Sequence, residues 1–172
     1  MSTDRHRVVI KPATLEHVPA IQSVGLLTWP ATYLPFTSPE YVLANLNTWW
    51  TREAVEHSVR IDRTVIAVDD NEVIGTLSLG ECEGDSVIWK IYVVPAAQGR
   101  GIGSALMRHA IEVAGNDRAL RLEYVQGNEH ARGFYERHGF RHDCDEDPGD
   151  GTITVWMRRP SGPCLPRIAG TD

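Results

Sequence analysis

The sequence predicts one α/β domain of the α+β type, a mixed, mostly antiparallel sheet flanked by helices. Three observations carry that expectation. The chain has 172 residues, 42% hydrophobic and 23% charged, enough to bury one core without disulfide staples. Consecutive β-branched runs separated by turn residues fill the stretch from Thr64 to Val94, a pattern of antiparallel neighbours. Beyond Val94 the periodicity alternates between helix and strand, so crossover units follow the hairpins.

Taken in order, "RVVIK" (Arg7 to Lys11) reads as a first strand, and Thr14 as the cap of a helix carrying Leu15, Val18, Ile21 and Val24 at helical spacing. Pro19 blurs the start of that helix. "TWPATYLPFTSP", with three prolines and three aromatics, is expected to be an irregular loop between helices. "PEYVLANLNTWW" resumes a helical pattern, with Trp49 expected in the core and Trp50 as a surface lid. "TREAVEHSVR" continues it after a break. "TVIAV" and "VIGTLSL" flank the hairpin signal "DDNE", and "SVIWKIYVV" is a third strand closed by Pro95.

Next come the glycine segment "GRGIG" and a helix with Ile102, Leu106, Ala110 and Val113 on one face. "LRLEYV" reads as a strand. Asn128 opens a helix carrying Ala131, Phe134, Tyr135 and His138, and Gly139 stops it. "GFRHD" and "GTITVWMRR" close the domain around the acidic loop "CDEDPGDG". The domain is expected over 1–159, with a loosely held proline- and glycine-rich tail over 160–172.

A formal net charge of −6 argues against a nucleic-acid partner, which calls for a basic face. No apolar run approaches the roughly 20 residues of a membrane span. The polar N-terminus does not read as a signal peptide, so the expected compartment is the cytoplasm. Cys82, Cys144 and Cys164 are scattered and read as free thiols. His138, His142 and Cys144 give H-x3-H-x-C, but the first histidine belongs to a helix and the others to a strand, so no metal site is expected.

Glycines 99, 101 and 103 place bare backbone at the mouth of a helix, the usual arrangement for close approach of an anion. A phosphate-binding P-loop requires GxxxxGK[ST], and no lysine stands in "GRGIGSAL". A dinucleotide fingerprint requires GxGxxG directly after the strand that opens its domain. Here Ser104 replaces the third glycine, and Pro95 to Gln98 intervene. A diphosphate lying on the amides of Gly99 to Ser104, with charge added by Arg100, fits better than either. Three glycines also exceed what a tight turn needs.

These residues carry a resemblance. "VVPAAQGRGIGSAL" resembles the acyl-CoA-binding motif Q/R-x-x-G-x-G/A of the Gcn5-related N-acetyltransferases (GNAT). Gln98, Arg100, Gly101 and Gly103 stand at its positions. "LRLEYVQGNEHARGFYERHGF" resembles the strand–Asn–helix segment of the same family. "IKPATLEHVPAI" and "TWPATY" resemble its first strand, helix start and first inter-helix loop. The resemblance spans Arg7 to Arg159 and implies a GNAT fold and acetyl transfer from acetyl-CoA to an amine. The alternatives are a non-catalytic acyl-CoA sensor of the same fold and, on the weaker glycine reading, a dinucleotide-binding protein.

The resemblance also implies roles. Gly99, Ile102 and Ser104 complete the diphosphate loop, Ile91 and Val93 offer backbone to the pantetheine arm, and Asn128 contacts that arm while capping its helix. Tyr135, two turns after Asn128, is the leaving-group acid. Histone-type members carry a glutamate at the position of Val87, and no carboxylate occurs here from Val87 to Val94. Ribosomal-protein alanine acetyltransferases carry a basic glutamate five residues before the asparagine, and Glu123 matches. Glu81, Glu83 and Asp85 stand in reserve. Trp29 and Tyr33, with Phe36 and "DCDEDPGD", lie in segments that line the acceptor site in the family, where aromatics and carboxylates suit a cationic amine. The implied partners are the amine acceptor and, as in many members, a second copy of the chain. No metal is required.

Overall fold

A computed structural model describes residues 8–61 and 63–162. The sheet has seven strands: β1 (Val9–Pro12), β2 (Arg63–Asp69), β3 (Glu72–Cys82), β4 (Asp85–Val93), β5 (Leu120–Val125), β6 (Arg141–Glu146) and β7 (Thr154–Arg159). Their spatial order is β1-β2-β3-β4-β5-β7-β6, and β4–β5 is the parallel pair. The predicted mixed, mostly antiparallel sheet is therefore the one observed. α1 (Val18–Tyr33), α2 (Pro39–Trp49) and α3 (Arg52–Ile61) lie between β1 and β2. α4 (Ile102–Ala114) links β4 to β5, and α5 (Glu129–Arg137) links β5 to β6.

Two cores form, one on each face. Leu77, Leu79, Ile88, Leu106, Met107, Leu122 and Phe140 join the sheet to α4, with Phe134 and Tyr135 of α5 packed against them. Val18, Ile21, Trp29, Val42, Trp50, Val55 and Ile66 join the sheet to α1–α3.

Turn chemistry explains the hairpins. Asp70 (φ 45°) and Asn71 (φ 69°) give β2–β3 the two consecutive positive-φ residues that a tight hairpin requires, and Glu83 and Gly84 do the same for β3–β4. Asn128 caps α5, its side-chain oxygen accepting the Ala131 N–H at 3.1 Å, and Gly139 at φ +88° stops that helix as predicted.

Three expectations change. "TWPATY" is helical, not a loop: α1 runs through it to Tyr33. Burial of Thr28 and Trp29 holds the segment in the helix, and the carbonyl orphaned by Pro30 belongs to Leu26, whose side chain is 64% exposed, on the wet side of the helix. Leu15 is exposed and sits in a short 3-10 turn that precedes α1, so the helix begins at Val18 with Pro19 in its first turn, where no N–H is missed. Trp50 is the core residue and Trp49 the exposed one, the reverse of the expectation. Trp50 packs against Gly25 of α1, where any Cβ would collide with the indole ring.

Of the predicted tail, Pro160 to Gly162 are described, and Gly162 N–H donates to the Asn116 carbonyl at 3.0 Å. The rest of the tail, Cys164 and Arg7 lie outside the described residues.

Candidate active site

The decisive local feature is a break in the sheet. β4 and β5 pair only at Ser86–Leu120 and Val87–Arg121, although both strands run on well past those residues. Opposite β3 the register jumps from Leu79↔Ile88 to Ser78↔Lys90, so Trp89 is an extra residue, a bulge. A bulge bends its strand and strengthens the local twist, and β4 swings away from β5 from that point on. Val94 N–H donates to Ile74 O at 2.9 Å. By the two-residue alternation of a strand, Ile91 and Val93 then point their main chain away from β3, into the opening. These are the two residues expected to offer backbone there.

The glycine loop lies at the wide end of the opening. Gln98 Nε2 donates to Val93 O at 3.0 Å and ties the loop to the strand it leaves. Gly99 (φ +76°) and Gly101 (φ +79°) occupy the left-handed region, and a Cβ built on either would meet nothing within 4 Å. The space above them is open. The first intrahelical bond of α4 here is Ala105 N–H to Gly101 O at 3.0 Å, so the amides of Ile102, Gly103 and Ser104 have no partner in the helix. The side chain of Ile102 is buried in the core, and only its amide faces the loop's task. Arg100 does not extend freely over the loop, because its Nη2 is paired with Asp69 Oδ2 at 2.6 Å.

Two cavities flank the break. One, about 370 Å³, is lined by Ile91, Val93, Gly99, Gly101, Gly103, Asn128, Phe134 and Tyr135. The other, about 440 Å³, lies on the α1–α3 side between Trp29, Tyr41, Trp49, Trp50, His57 and Lys90. Tyr33, Trp89, Tyr92, Glu123 and Tyr124 line both. The opening in the sheet is thus a passage, and these five residues are its frame.

Glu123 is open to that passage and has no ion-pair partner among the described residues. Burial raises its pKa above the ordinary carboxylate value, and the nearby Glu146 carboxylate adds to the effect. The Tyr135 hydroxyl makes no hydrogen bond within the described chain, and burial drives its pKa well above 10, with Tyr33 adding a smaller push. Tyr33 and Tyr92 share a hydroxyl–hydroxyl bond of 3.0 Å. Desolvation lifts Tyr33 to about 12 and Tyr92 well above its ordinary value. All three phenols therefore keep their protons at neutral pH.

The structure brings together Tyr33, Gln98, Gly99, Gly101, Gly103, Ser104, Glu123, Asn128 and Tyr135 around one cavity, and Trp29 lines the other. It removes the reserve bases. Glu81 is paired with Arg118 at 2.8 Å, Glu83 with Arg121 and Asp85 with Arg158, all at the narrow end of β3–β4, away from both cavities. Phe36 is exposed and lines neither cavity. No cluster of three metal-ligating side chains occurs among the described residues: His138 bonds the Phe134 carbonyl and His142 pairs with Asp145. Tyr41, Trp89 and Tyr92 were not anticipated. Strand alternation could have found Tyr92, since it shares with Lys90 the face opposite Ile91 and Val93.

With this geometry in view, the sequence profile of the acetyltransferase (GNAT) family matches residues 23–140. The chain belongs to the GNAT family. Solved structures of low identity share its fold. The PaiA N-acetyltransferase from Thermoplasma acidophilum, determined in complex with coenzyme A, is 19% identical with a TM-score of 0.78, covering 90% of this chain and 99% of its own. A GCN5-related N-acetyltransferase from Rhodopseudomonas palustris is 18% identical with a TM-score of 0.77, covering 89% and 95%. A GNAT-family acetyltransferase from Bacillus cereus is 16% identical with a TM-score of 0.69, covering 91% and 99%.

Proposed function

We propose that this GNAT protein is an acetyl-CoA-dependent N-acetyltransferase that acetylates a primary amine by direct attack on the thioester, and that residues 1–159 form its catalytic domain. The single observation that carries the reading is the passage through the sheet. A cavity floored by free amides and a second cavity on the opposite face meet at Glu123 and the tyrosines.

The residues present fit a coenzyme A diphosphate. The loop offers unpartnered amides at a helix N-terminus, and the positive-φ glycines leave the space above them open. Gly99, Gly101, Gly103 and Ser104 would hold the diphosphate through backbone, and Arg100, held by Asp69, adds charge at the edge. The main chain of Ile91 and Val93 would hold the pantetheine arm. Asn128 spends its side-chain oxygen on the cap, which leaves its NH2 group to donate. When bound, acetyl-CoA supplies an acyl thioester.

An alkylammonium has a pKa near 10.4, so at neutral pH the acceptor must lose a proton before it can attack. Glu123 takes that proton on its carboxylate, directly or through water, and its raised pKa brings it closer to the working pH. Tyr135 Oη stays protonated and gives its proton to the departing sulfur. Tyr33 and Tyr92, bonded to each other, hold the frame between the two cavities.

Calorimetric titration with CoA, acetyl-CoA and NAD, followed by thiol release over a panel of amines, tests the reading. CoA binding with amine-dependent thiol release is expected. Tight CoA binding without turnover of any amine would favour a sensor, and NAD binding without CoA binding would overturn the family of ligand altogether.

A further inference from the structure

Arg100 stands in the middle of the glycine loop, yet its guanidinium serves a carboxylate from another element. The β2–β3 hairpin explains how the two meet. Gly75 pairs with Val93 at the end of β4, and Ile74 O accepts the Val94 N–H at 2.9 Å. The hairpin tip therefore reaches past β4, beside the loop that leaves it. Asp69, the last residue of β2, pairs with Glu72 at that tip and takes Arg100 Nη2 on its Oδ2 at 2.6 Å.

The two partners are unequally placed. The Asp69 side chain is 14% exposed, and its second oxygen, Oδ1, is buried with no hydrogen-bond partner. Arg100 is 42% exposed and makes this one side-chain hydrogen bond among the described residues, so its other N–H donors are free. A two-pronged grip would satisfy both carboxylate oxygens, whereas here the carboxylate depends on a single bond. Departure of Arg100 would leave that half-satisfied charge uncompensated, and this cost holds the guanidinium in place. A guanidinium also matches phosphate geometry well, and this one springs from the residue between Gly99 and Gly101, whose loop would cradle a diphosphate.

Resting on the coenzyme A reading above, we infer that Asp69 is a positioning residue that holds Arg100 off the ligand's diphosphate and so caps the affinity for coenzyme A. CoA and acetyl-CoA carry the same diphosphate. A stronger grip on it tightens the entering and the leaving ligand alike, which lowers KM without raising kcat and slows the departure of CoA. The amides seat the diphosphate, and Asp69 withholds the added cation.

Asp69→Asn keeps the shape of the side chain and removes its charge, which releases Arg100. Calorimetric titration of the full chain should then show CoA bound about threefold tighter or more, the size of one partly exposed charged contact. A purely structural role gives the opposite sign, because a loosened loop binds more weakly. Asp69→Ser, which also lacks the charge, should show the same gain and answers for a poorly folded Asp69→Asn. Asp69→Asn combined with Arg100→Ala has no cation to release and should bind CoA no tighter than wild type. Dephospho-CoA, which keeps the diphosphate and lacks the 3′-phosphate, should show the same gain as CoA. In thiol-release assays the KM for acetyl-CoA should fall by a similar factor, and kcat should not rise. Unchanged or weaker CoA binding in both folded single variants, a gain that persists in the double variant, or a gain lost with dephospho-CoA would each overturn the inference. Failure of the wild-type chain to bind CoA would instead overturn the coenzyme A reading beneath it.

Discussion

Replacing Gly101 separates the two demands placed on that residue, conformation and space. Its backbone sits at φ +79°, ψ 5°, and a Cβ there would meet nothing within 4 Å. The folded chain alone has room for a methyl group, so the cost of Gly101→Ala to stability is backbone strain, about 1–2 kcal/mol for an L-residue in the left-handed region. At roughly 2–4 °C per kcal/mol for a protein of this size, the melting temperature should fall by about 2–8 °C. Gly101→Asn should lose much less, because asparagine visits that region readily. Gly103 has no positive φ, and its added methyl would lie 3.6 Å from the Phe134 ring, an ordinary contact. Gly103→Ala should therefore leave the melting temperature unchanged or raise it, since alanine is favoured over glycine in a helix by up to about 1 kcal/mol.

Affinity for CoA should follow a different order. Any side chain at Gly101 fills the space over the amides, and a lost charge-assisted hydrogen bond costs about 1.5–3 kcal/mol, or about 10- to 150-fold in affinity. Gly101→Ala and Gly101→Asn should both lose that much by calorimetry, although only the first is appreciably destabilised. Wild-type CoA affinity in Gly101→Asn would refute the backbone cradle. Wild-type thermal stability in Gly101→Ala would refute the strain argument independently.

Other perturbations follow from the same geometry. Tyr135→Phe removes a hydroxyl with no partner in the described chain, so stability and CoA affinity should change little while turnover falls about 10²- to 10⁴-fold; near-normal turnover would reduce Tyr135 to packing. Glu123→Gln should abolish the acid limb of the rate-versus-pH curve, a limb displaced above the usual carboxylate range by burial. Its effect on stability has a fixed sign: a carboxyl with a raised folded-state pKa favours folding below its unfolded pKa and loses that advantage as pH rises through the folded value. The variant should accordingly melt higher than wild type at neutral pH and match it in acid, and a lower neutral melting temperature would show an unrecognised partner. Arg100→Ala should cost more stability than CoA affinity. It leaves the Asp69 carboxylate, only 14% exposed, without its 2.6 Å partner, whereas CoA binding should weaken less than tenfold. A loss of several hundredfold would mean that Arg100 leaves Asp69 to grip the ligand.

What the sequence made legible about this site is what a single short segment determines. The glycine loop is one strand end, one turn and one helix start, so residue types alone specify positive φ at Gly99 and Gly101 and free amides beyond them. Glu123, Asn128 and Tyr135 lie on one strand–turn–helix unit, five and seven residues apart, where so short a connection permits few geometries. The TWPATY segment was misread because proline dominates local propensity, while the burial of Thr28 and Trp29 against a distant sheet overrides it. The same limit hid the passage itself. A bulge is a relation between two strands, and nothing in "SVIWKIYVV" marks Trp89 as the residue that β3 leaves unpaired. Once that register is set, consequences follow that no motif contains: β4 parts from β5 after two residue pairs, the main chain of Ile91 and Val93 loses its strand partner, and Tyr33, Tyr41 and Tyr92, from three separate elements, converge on Glu123. The glycine-loop side of the site is thus written locally and the α1–α3 side is written in the pairing of elements far apart in sequence, which is why the first was readable from residue order and the second needed the fold.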